Sequence, residues 1–573
     1  MKIVSKIYRK TVLAAAVAFG VLTSSCTDYL TIIPADKVVE ENFWQTKDQI
    51  NGMLATSYLK LLSSDAISKA IIWGDMRSDN MTFNSSLSGD IKRLIEGNIT
   101  EENSYCRWGI FYEAINYANL VLESADQVVM RDPDFTEGDL AVVKGEMYAM
   151  RALCHFYLVR TFRDIPLAMR SAKNDADIPD YKQVHPLVAL DSIMSDLNRA
   201  KDMVMKSGAY SDVSKNLGRI SYNAVLAMKA DVNLWRAAFA TYYKDNTKYV
   251  KAGDVQAYYD ECVEDCREVI AKMDKILEEE NKGKPVETFA YNLIQNEGTV
   301  NEKKGQHTST AYDAIFGSKN SSESIFELQI QSSYNTGDNP YAVGVFNLYG
   351  TEGNAQMAVV PKDFIKNNYK EDDLRIWSFT NIKAYDQAAT DGDVCITKYA
   401  LKTSPSTSSD YRKKDGWDAN WIVYRRTDVL LMMAEAMVLR ESAAEPDFRE
   451  AFDIVNAINT RSKFDNSKSR LQYPAKDVKA TLTNLVRTER LLELSFEGKR
   501  WYDLVRVALI EGNTENVAKL VSKKLTTSSA VLESQLAVID ALFLPIHIDE
   551  LRYNKNLKQN DAYKKEDSST EMN

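Results

Sequence analysis

Long helical periodicities constrain this chain more than any other feature of its sequence. Between Trp108 and Ala125, apolar side chains recur at three- and four-residue steps, at Phe111, Ile115, Ala118 and Leu122. This spacing predicts one amphipathic helix. A chain with several such segments must bury their apolar faces against one another, which favours a mainly α fold.

The segment from Asp139 to Phe162 is apolar on more than one side. One face carries Met147, Met150, Cys154 and Tyr157, and another carries Ala149, Leu153 and Phe156. A helix with two apolar faces is expected inside the body rather than on its surface. The following Asp164-Ile165-Pro166 predicts the end of the helix.

Further helices are predicted along both halves of the chain, at Pro186–Met205, Ser221–Tyr243, Val255–Leu277, Trp421–Arg440 and Phe448–Arg461. Small residues at close spacing, as at Ala224, Ala227 and Ala230, allow neighbouring helices to approach. The pattern resembles helix-turn-helix repeats of the tetratricopeptide type. An irregular helical bundle is the alternative.

The character of the sequence changes between about Lys282 and Ser409. Polar stretches containing Gly and Asn alternate there with aromatic residues, and the run Ser324 to Ile330 predicts a strand. A long irregular insert on a helical scaffold is where binding residues are commonly placed. It can equally be a surface loop with no ligand.

The N-terminus has the layout of an export signal. Basic residues precede the apolar run Val12–Leu22, and small residues lead into Cys26. The run is shorter than the roughly 20 residues that span a bilayer, so cleavage is expected. A lipoprotein signal is cut before a cysteine that carries the lipid, although Leu22 lies four places before Cys26 instead of the usual three. An ordinary secretory signal is the alternative.

Charge narrows the choice of partners. The 573-residue chain has a formal net charge of −10, and loss of the four basic residues in the signal leaves about −14. An acidic surface repels phosphate backbones, so nucleic acid is not expected as a partner.

Cysteine and histidine are too sparse to indicate a disulfide framework or a metal centre. Five cysteines remain beyond Cys26, and the chain has four histidines. Cys262 and Cys266 lie one helical turn apart with no histidine nearby, so they are predicted to be core-facing thiols rather than metal ligands. We predict no metal and no cofactor.

Catalytic motifs are also missing from the sequence. It contains no HExxH, no GxSxG and no P-loop. The best carboxylate pair, Glu493 and Glu497, is predicted to lie one turn apart on a helix with Arg490 and Arg500 nearby. A neighbouring guanidinium lowers a carboxyl pKa, which is the opposite of what a general acid needs. We therefore predict a structural ion network and no enzymatic activity.

Motifs in all parts of the chain resemble one protein family. They comprise Cys26–Leu30, Pro34, Asn42–Trp44 and Tyr58; then Lys144–Leu153, Phe156–Arg160 and Asp164–Leu167; then Arg426–Leu431 and Ala434–Ala436; and finally Arg487–Arg490, Phe496–Arg500, Tyr502–Leu504, Leu544–Ile546 and Gln559–Asn560. In this order they are similar to the SusD/RagB-like glycan-binding outer-membrane lipoproteins of Bacteroidetes. The sequence departs from the family pattern at Arg163, His547 and Asp561-Ala562, all in turns.

The resemblance implies a signal peptide over residues 1–25 and one body over residues 26–573. The body would comprise an N-terminal helical-repeat part, to about residue 280, and a C-terminal part with the loop-rich, partly β insert. Four tetratricopeptide-like helix pairs would form the scaffold. The resemblance also implies lipidation at Cys26, an outer-membrane location facing outward, and delivery of captured glycan to a SusC-like TonB-dependent transporter.

Sugar rings stack on aromatic side chains, and their hydroxyls need polar partners. The segment from Trp73 to Phe83 offers both, through Trp73, Arg77, Asp79, Asn80 and Phe83. Within the insert we add Tyr334, Asn335, Tyr341 and Tyr349, and also Asp373, Arg375 and Trp377. Alternatively, Trp73 packs a helix end, Asp79-Asn80 caps a turn, and Arg375 anchors a loop through Asp373.

Three hypotheses follow for the function. Glycan capture for a transporter is favoured. A scaffold lipoprotein that binds proteins or peptides through its helical repeats is the alternative. A glycosidase is disfavoured by the carboxylate argument.

Overall fold

Eight long helices, arranged as four pairs that follow one another along the chain, form the scaffold of the described structure. The computed structural model describes residues 43–83, 87, 89–174, 181–282, 290–296, 309–330, 358–361, 363–380, 382, 394–406, 409–411, 419–463 and 471–564, with residues 400–406 and 409–411 described by their backbone only. The pairs are α1 (Lys47–Leu61) with α2 (Gly109–Ser124), α3 (Glu137–Phe162) with α4 (Pro186–Met203), α5 (Tyr222–Tyr242) with α6 (Asp254–Glu280), and α7 (Arg426–Leu439) with α8 (Glu445–Arg461).

Each pair packs on the next, so the four pairs form a continuous stack. Helix α2 contacts α3, α4 contacts α5, and α6 contacts α7. Two further helices, α9 (Val478–Leu494) and α10 (Arg500–Glu511), pack on α7 and α5 respectively. The predicted mainly α, helix-pair fold is confirmed.

Helix α3 illustrates how the sequence sets the bounds of these elements. It begins at a capping box, in which Thr136 Oγ1 accepts from the Asp139 amide and the Asp139 carboxylate accepts from the Thr136 amide. It ends at Arg163, whose φ of 66° breaks the helical path. Between these ends α3 is buried on several faces, as predicted from its apolar pattern.

The predicted helix Trp421–Arg440 is wrong in its first part. Strand β9 occupies Trp421–Arg425, and α7 begins only at Arg426. The run Trp-Ile-Val-Tyr has high β propensity, and it pairs antiparallel with the strand β4 (Ser324–Leu328). Pairing with a distant strand therefore overrides a helical pattern that continues smoothly in the sequence.

Short elements complete the fold. The strands are β1 (Thr82–Phe83), β2 (Ile165–Pro166), β3 (Gln183–Val184), β4, β5 (Ala358–Val360), β6 (Val394–Cys395), β7 (Leu401–Ser406), β8 (Ser409–Tyr411) and β9, paired as β1-β5-β6, β2-β3, β4-β9 and β7-β8. Short helices occupy Ser64–Ile71, Gly89–Glu96, Asp126–Val129, Val213–Gly218, Thr310–Tyr312, Phe364–Asn368, Leu374–Phe379, Glu515–Ser522, Ser529–Gln535 and Ile548–Tyr553. A π-helical turn, Ile72–Met76, continues the short helix Ser64–Ile71.

A close backbone contact joins the N-terminal segment 70–75 to the turn that follows α9. A Cβ atom built on Gly74 would lie 1.8 Å from the Gly498 carbonyl oxygen, and one on Gly498 would lie 2.8 Å from the Ala70 carbonyl oxygen. Gly498 also has a φ of +69°, which glycine adopts without a steric cost. The buried carboxylate of Asp75 accepts hydrogen bonds from the Gly498 and Arg500 amides, at 2.6 and 3.3 Å.

The contact predicts that Gly74→Ala destabilises the protein, because the added methyl group has no room unless the 495–499 turn moves. The expected loss is at least about 1–3 kcal/mol, the usual cost of an overfilled interior. Gly52→Ala is the matched control, since its Cβ meets nothing within 4 Å in helix α1. Thermal melts should show a lower midpoint for Gly74→Ala and an unchanged or raised one for Gly52→Ala; equal midpoints would contradict the contact.

Candidate functional site

Glu493 and Glu497, the best carboxylate pair in the sequence, lie at the centre of a buried ion network. Arg425 donates to both carboxylates, at 3.0 Å to Glu493 and 2.7 Å to Glu497. Arg461 lies 2.6 Å from Glu493, and Lys398 lies 2.6 Å from Glu497. All five side chains are inaccessible to solvent. The predicted structural ion network is confirmed.

Its partners and its backbone differ from the prediction. Arg490 pairs with Asp503 and Asp428, and Arg500 pairs with Asp79, so neither contacts the two glutamates. Helix α9 also ends at Leu494, which places Glu497 in the following turn. The partners come from distant segments, and short-range spacing could not identify them.

The network keeps both glutamates ionised. Burial alone would raise their pKa values, but the positive charges of Arg425 and Lys398 outweigh it and lower the pKa of Glu497 to about 2. The pKa of Glu493 is lowered as well, by Arg461, Arg425 and Arg375 acting against burial. A carboxylate that is ionised, buried and fully paired cannot donate a proton to a glycosidic oxygen.

Trp73, which we predicted to stack on a sugar, lies inside the protein. It is 1% exposed, its indole Nε1 donates to the Tyr105 carbonyl at 2.8 Å, and its ring stacks on Phe111 at 5.0 Å. The prediction of a ligand contact is therefore wrong for Trp73, because neither face of the ring reaches solvent. The alternative, that it packs a helix end, agrees with the structure.

The polar residues that follow Trp73 are buried too, and they join the N-terminal segment to the C-terminal part. Arg77 donates to the carbonyls of Ala541 and Leu542, at 2.6 and 2.7 Å, and Asp79 accepts from Arg500 at 2.8 Å. Asn80 donates to Ser495 Oγ at 3.4 Å. Their predicted role as ligand residues is wrong, since their polar groups already have partners in the interior.

The candidates Asp373, Arg375 and Trp377 are also interior residues. Arg375 donates to Asp373 at 2.9 and 2.8 Å and lies 2.5 Å from Glu489. It also lies 3.3 Å from Glu493, which makes it part of the same ion network. Trp377 is 8% exposed and donates to the Glu371 carbonyl. A ligand contact is again excluded by burial, and the alternative of Arg375 anchored through Asp373 agrees with the structure.

Phe83 has a different setting from the other candidates of its segment. It is half-buried in β1, directly opposite Ala358 of β5. The two strands pair antiparallel, with Phe83 opposite Ala358 and Thr82 opposite Val359. Tyr334, Asn335, Tyr341, Tyr349 and Cys26 lie outside the described residues.

Sequence reasoning missed an open cleft between α4 and α6. The cleft has a volume of about 800 Å³, and its lining includes Arg236, Tyr249 and Tyr258. The run from Tyr242 to Tyr249 combines three tyrosines with Asp245 and Asn246, although only Tyr249 of this run lines the cleft. That is the same composition by which we selected the insert.

The described residues also show where the cysteines lie. Cys106, Cys154, Cys262, Cys266 and Cys395 are buried, which confirms the prediction of core-facing thiols for Cys262 and Cys266. In this part of the chain no group of three or more His, Cys, Asp or Glu side chains could hold a metal ion. The same described segments include no helix long and apolar enough to cross a membrane.

Two protein-family models match consecutive parts of the chain. One is described as "Starch-binding associating with outer membrane" and matches residues 28–234. The other is described as "SusD family" and matches residues 280–563. Among curated proteins, SusD-like protein P38 of Formosa agariphila is 25% identical over 507 residues, covering 86% of this chain and 89% of that protein.

Solved structures share the fold. A SusD homolog from Bacteroides thetaiotaomicron superimposes with a TM-score of 0.65 at 19% identity, covering 91% of this chain and 100% of that one. A laminarin-binding SusD-like protein has a TM-score of 0.61 at 20% identity, with coverage of 91% and 100%. A putative sugar-binding protein from Bacteroides vulgatus has a TM-score of 0.63 at 20% identity, with coverage of 91% and 99%.

The ion network predicts that Glu497→Gln lowers the free energy of unfolding by an amount that depends on pH. At pH 7 the variant should lose about 3–5 kcal/mol of unfolding free energy, because buried Lys398 loses its carboxylate partner and buried Arg425 loses one of its two. Since the folded-state pKa of Glu497 is lowered to about 2, its contribution is full above the unfolded value of 4.5 and is lost as the pH falls through about 2. The difference in unfolding free energy between wild type and variant should therefore be smaller at pH 3 than at pH 7.

Thermal melts at both pH values measure this difference. Glu515→Gln is the control, because Glu515 pairs with Lys519 on an exposed helix face and should contribute little. A Glu497→Gln midpoint equal to that of wild type at pH 7 would contradict the network.

Proposed function

This chain belongs to the SusD/RagB-like family, and from that membership we propose that it is a cell-surface lipoprotein that binds oligosaccharide or polysaccharide. The observation that carries the proposal is the match of two family models, one after the other, over residues 28–234 and 280–563. The laminarin-binding and sugar-binding proteins of the same fold support it. The captured glycan would pass to a SusC-like TonB-dependent transporter.

The proposed glycan surface lies where the β1–β5 pair meets the insert. Phe83 is half-buried beside Ala358, and the insert that precedes Ala358 carries Tyr334, Asn335, Tyr341 and Tyr349. The aromatic rings can stack on the C–H face of a sugar, and the side-chain amide of Asn335 offers a donor and an acceptor for its hydroxyls. Because each hydroxyl exchanges water for protein, a single hydrogen bond adds only about 0.5–1.5 kcal/mol. Affinity should therefore depend on several rings together.

We propose no catalytic role. The strongest carboxylate pair is withdrawn from solvent and held ionised, and this favours binding over turnover. The proposal also includes cleavage of residues 1–25 and lipidation of Cys26. A lipid anchor with a tether from Thr27 would keep an acidic body at the outer-membrane surface while it moves over the transporter mouth.

Binding assays with three aromatic variants test the glycan surface. Phe83→Ala and Tyr341→Ala should each weaken retardation in affinity gels containing the bound polysaccharide, with thermal midpoints near wild type. Trp73→Ala should instead lower the midpoint, because truncating a buried tryptophan costs about 3–5 kcal/mol. A broad panel of host, plant and microbial glycans without any retardation, together with stable protein complexes, would favour the scaffold alternative.

Protease treatment of intact cells tests the location. A surface-exposed body should be digested without lysis, whereas full protection would contradict capture from outside. Cys26→Ser should prevent acylation, so that the variant no longer partitions with membranes and its N-terminal peptide lacks the lipid mass. Replacement of a buried cysteine that cannot be the anchor, Cys395→Ser, is the control and should leave partitioning unchanged.

A further inference from the structure

The packing of the helix pairs creates an open cleft on the scaffold. Helices α4 and α6 both pack on α5, and the cleft lies between them. Arg236 of α5 and Tyr249, in the turn that joins α5 to α6, also line the cleft. Its volume of about 800 Å³ lies in the range of small-molecule sites, roughly 300–1,000 Å³.

Arg236 links the two walls of the cleft. Its Nη2 donates to Asp191 of α4 at 2.9 Å, and its Nη1 lies 3.5 Å from Glu261 of α6. The guanidinium is largely buried, while the two carboxylates are about half exposed, with side-chain exposures of 59% and 50%. Each carboxylate thus contacts the guanidinium and still has solvent-exposed oxygen surface that can accept hydrogen bonds from a ligand.

Two tyrosines give the cleft apolar surface. The Tyr258 ring is half-buried, with the Arg236 guanidinium 3.9 Å from its centroid. The Tyr249 ring is held against His185, at 3.8 Å between centroids and nearly parallel. Rings that are immobilised by the protein lose little conformational entropy when a ligand packs on them.

The charges that line the cleft nearly balance. Four carboxylates and three basic side chains contribute to it: Asp191, Asp202, Asp254 and Glu261 against Arg199, Arg236 and Lys251. Such a lining neither attracts an anion strongly nor suits an apolar compound, because its polar groups would lose water without compensation. It suits a neutral ligand with many hydroxyls and an apolar face.

We propose that the cleft between α4 and α6 is a second binding site for neutral oligosaccharides, separate from the insert surface. Tyr258 and Tyr249 contact the sugar rings, and the Asp191–Arg236–Glu261 group accepts from and orients the hydroxyls. The proposal extends the glycan-binding function but does not depend on the insert. The two sites therefore can be separated by mutation.

Titration calorimetry of the mature body with a panel of neutral hexaoses (malto-, laminari-, cello- and xylo-) tests the site. Tyr258→Ala should weaken binding of at least one of them tenfold or more at one class of site. Tyr473→Ala is the matched control, since that half-buried tyrosine also carries a guanidinium, from Arg449 at 3.8 Å, but lies outside the cleft. It should change affinity less than twofold. Asp191→Asn removes a surface charge and tests the polar group with little risk to folding.

The outcomes separate this inference from the proposed function. Loss of binding in Tyr258→Ala with Tyr341→Ala unaffected supports the cleft and counts against the insert surface for that sugar. Loss in Tyr341→Ala with Tyr258→Ala unaffected overturns the cleft and leaves the proposed function intact. Two classes of site, each removed by one variant, support both. If none of the hexaoses binds the wild-type protein at a concentration of about 10 mM, the proposal of a sugar site in the cleft is overturned.

Discussion

The turn that follows α9 is the point on which the rest of the structure depends. Glu493 and Glu497 bring two negative charges into the interior, where each unpaired charge would cost several kcal/mol. Arg425 from β9, Arg461 from α8 and Lys398 neutralise them, so the strand, the helix and the insert region are fixed to one place. Gly498, in the same turn, receives the N-terminal segment at a distance that only a glycine permits.

The buried contact between the N-terminal segment and the turn after α9, which we call the joint, explains why residues 73–80 resemble a ligand-binding loop. Trp73, Arg77, Asp79 and Asn80 have the aromatic and hydrogen-bonding groups of a sugar site because a buried joint needs the same groups. In the joint, the indole packs on Phe111 and the polar groups bind Arg500, Ser495 and backbone carbonyls. Composition cannot distinguish a buried joint from a sugar site, because both require aromatic surface beside paired hydrogen-bond donors and acceptors.

The scaffold and the proposed insert surface are built by different rules. Stacked helix pairs repeat one packing arrangement, which leaves grooves such as that between α4 and α6 wherever two helices pack on a third but diverge from each other. The β1–β5 pair instead connects residues 83 and 358, which are far apart in sequence, and brings Phe83 to the start of β5.

The sequence by itself determined the helices, the family and the chemical nature of the Glu493–Glu497 pair. Periodicity over 20 residues is a local property, and it located α2 to within one residue at each end and α3 to within two residues of its start. Only the tertiary structure decided which side chains reach solvent, that Arg425 and Arg461 pair with the glutamates, and that Trp421–Arg425 is a strand. Burial, ion-pair partners and strand pairing depend on segments that lie apart in the chain, from Arg461 and Glu493, 32 residues apart, to Asp79 and Arg500, 421 residues apart. No local spacing encodes which of these segments will meet.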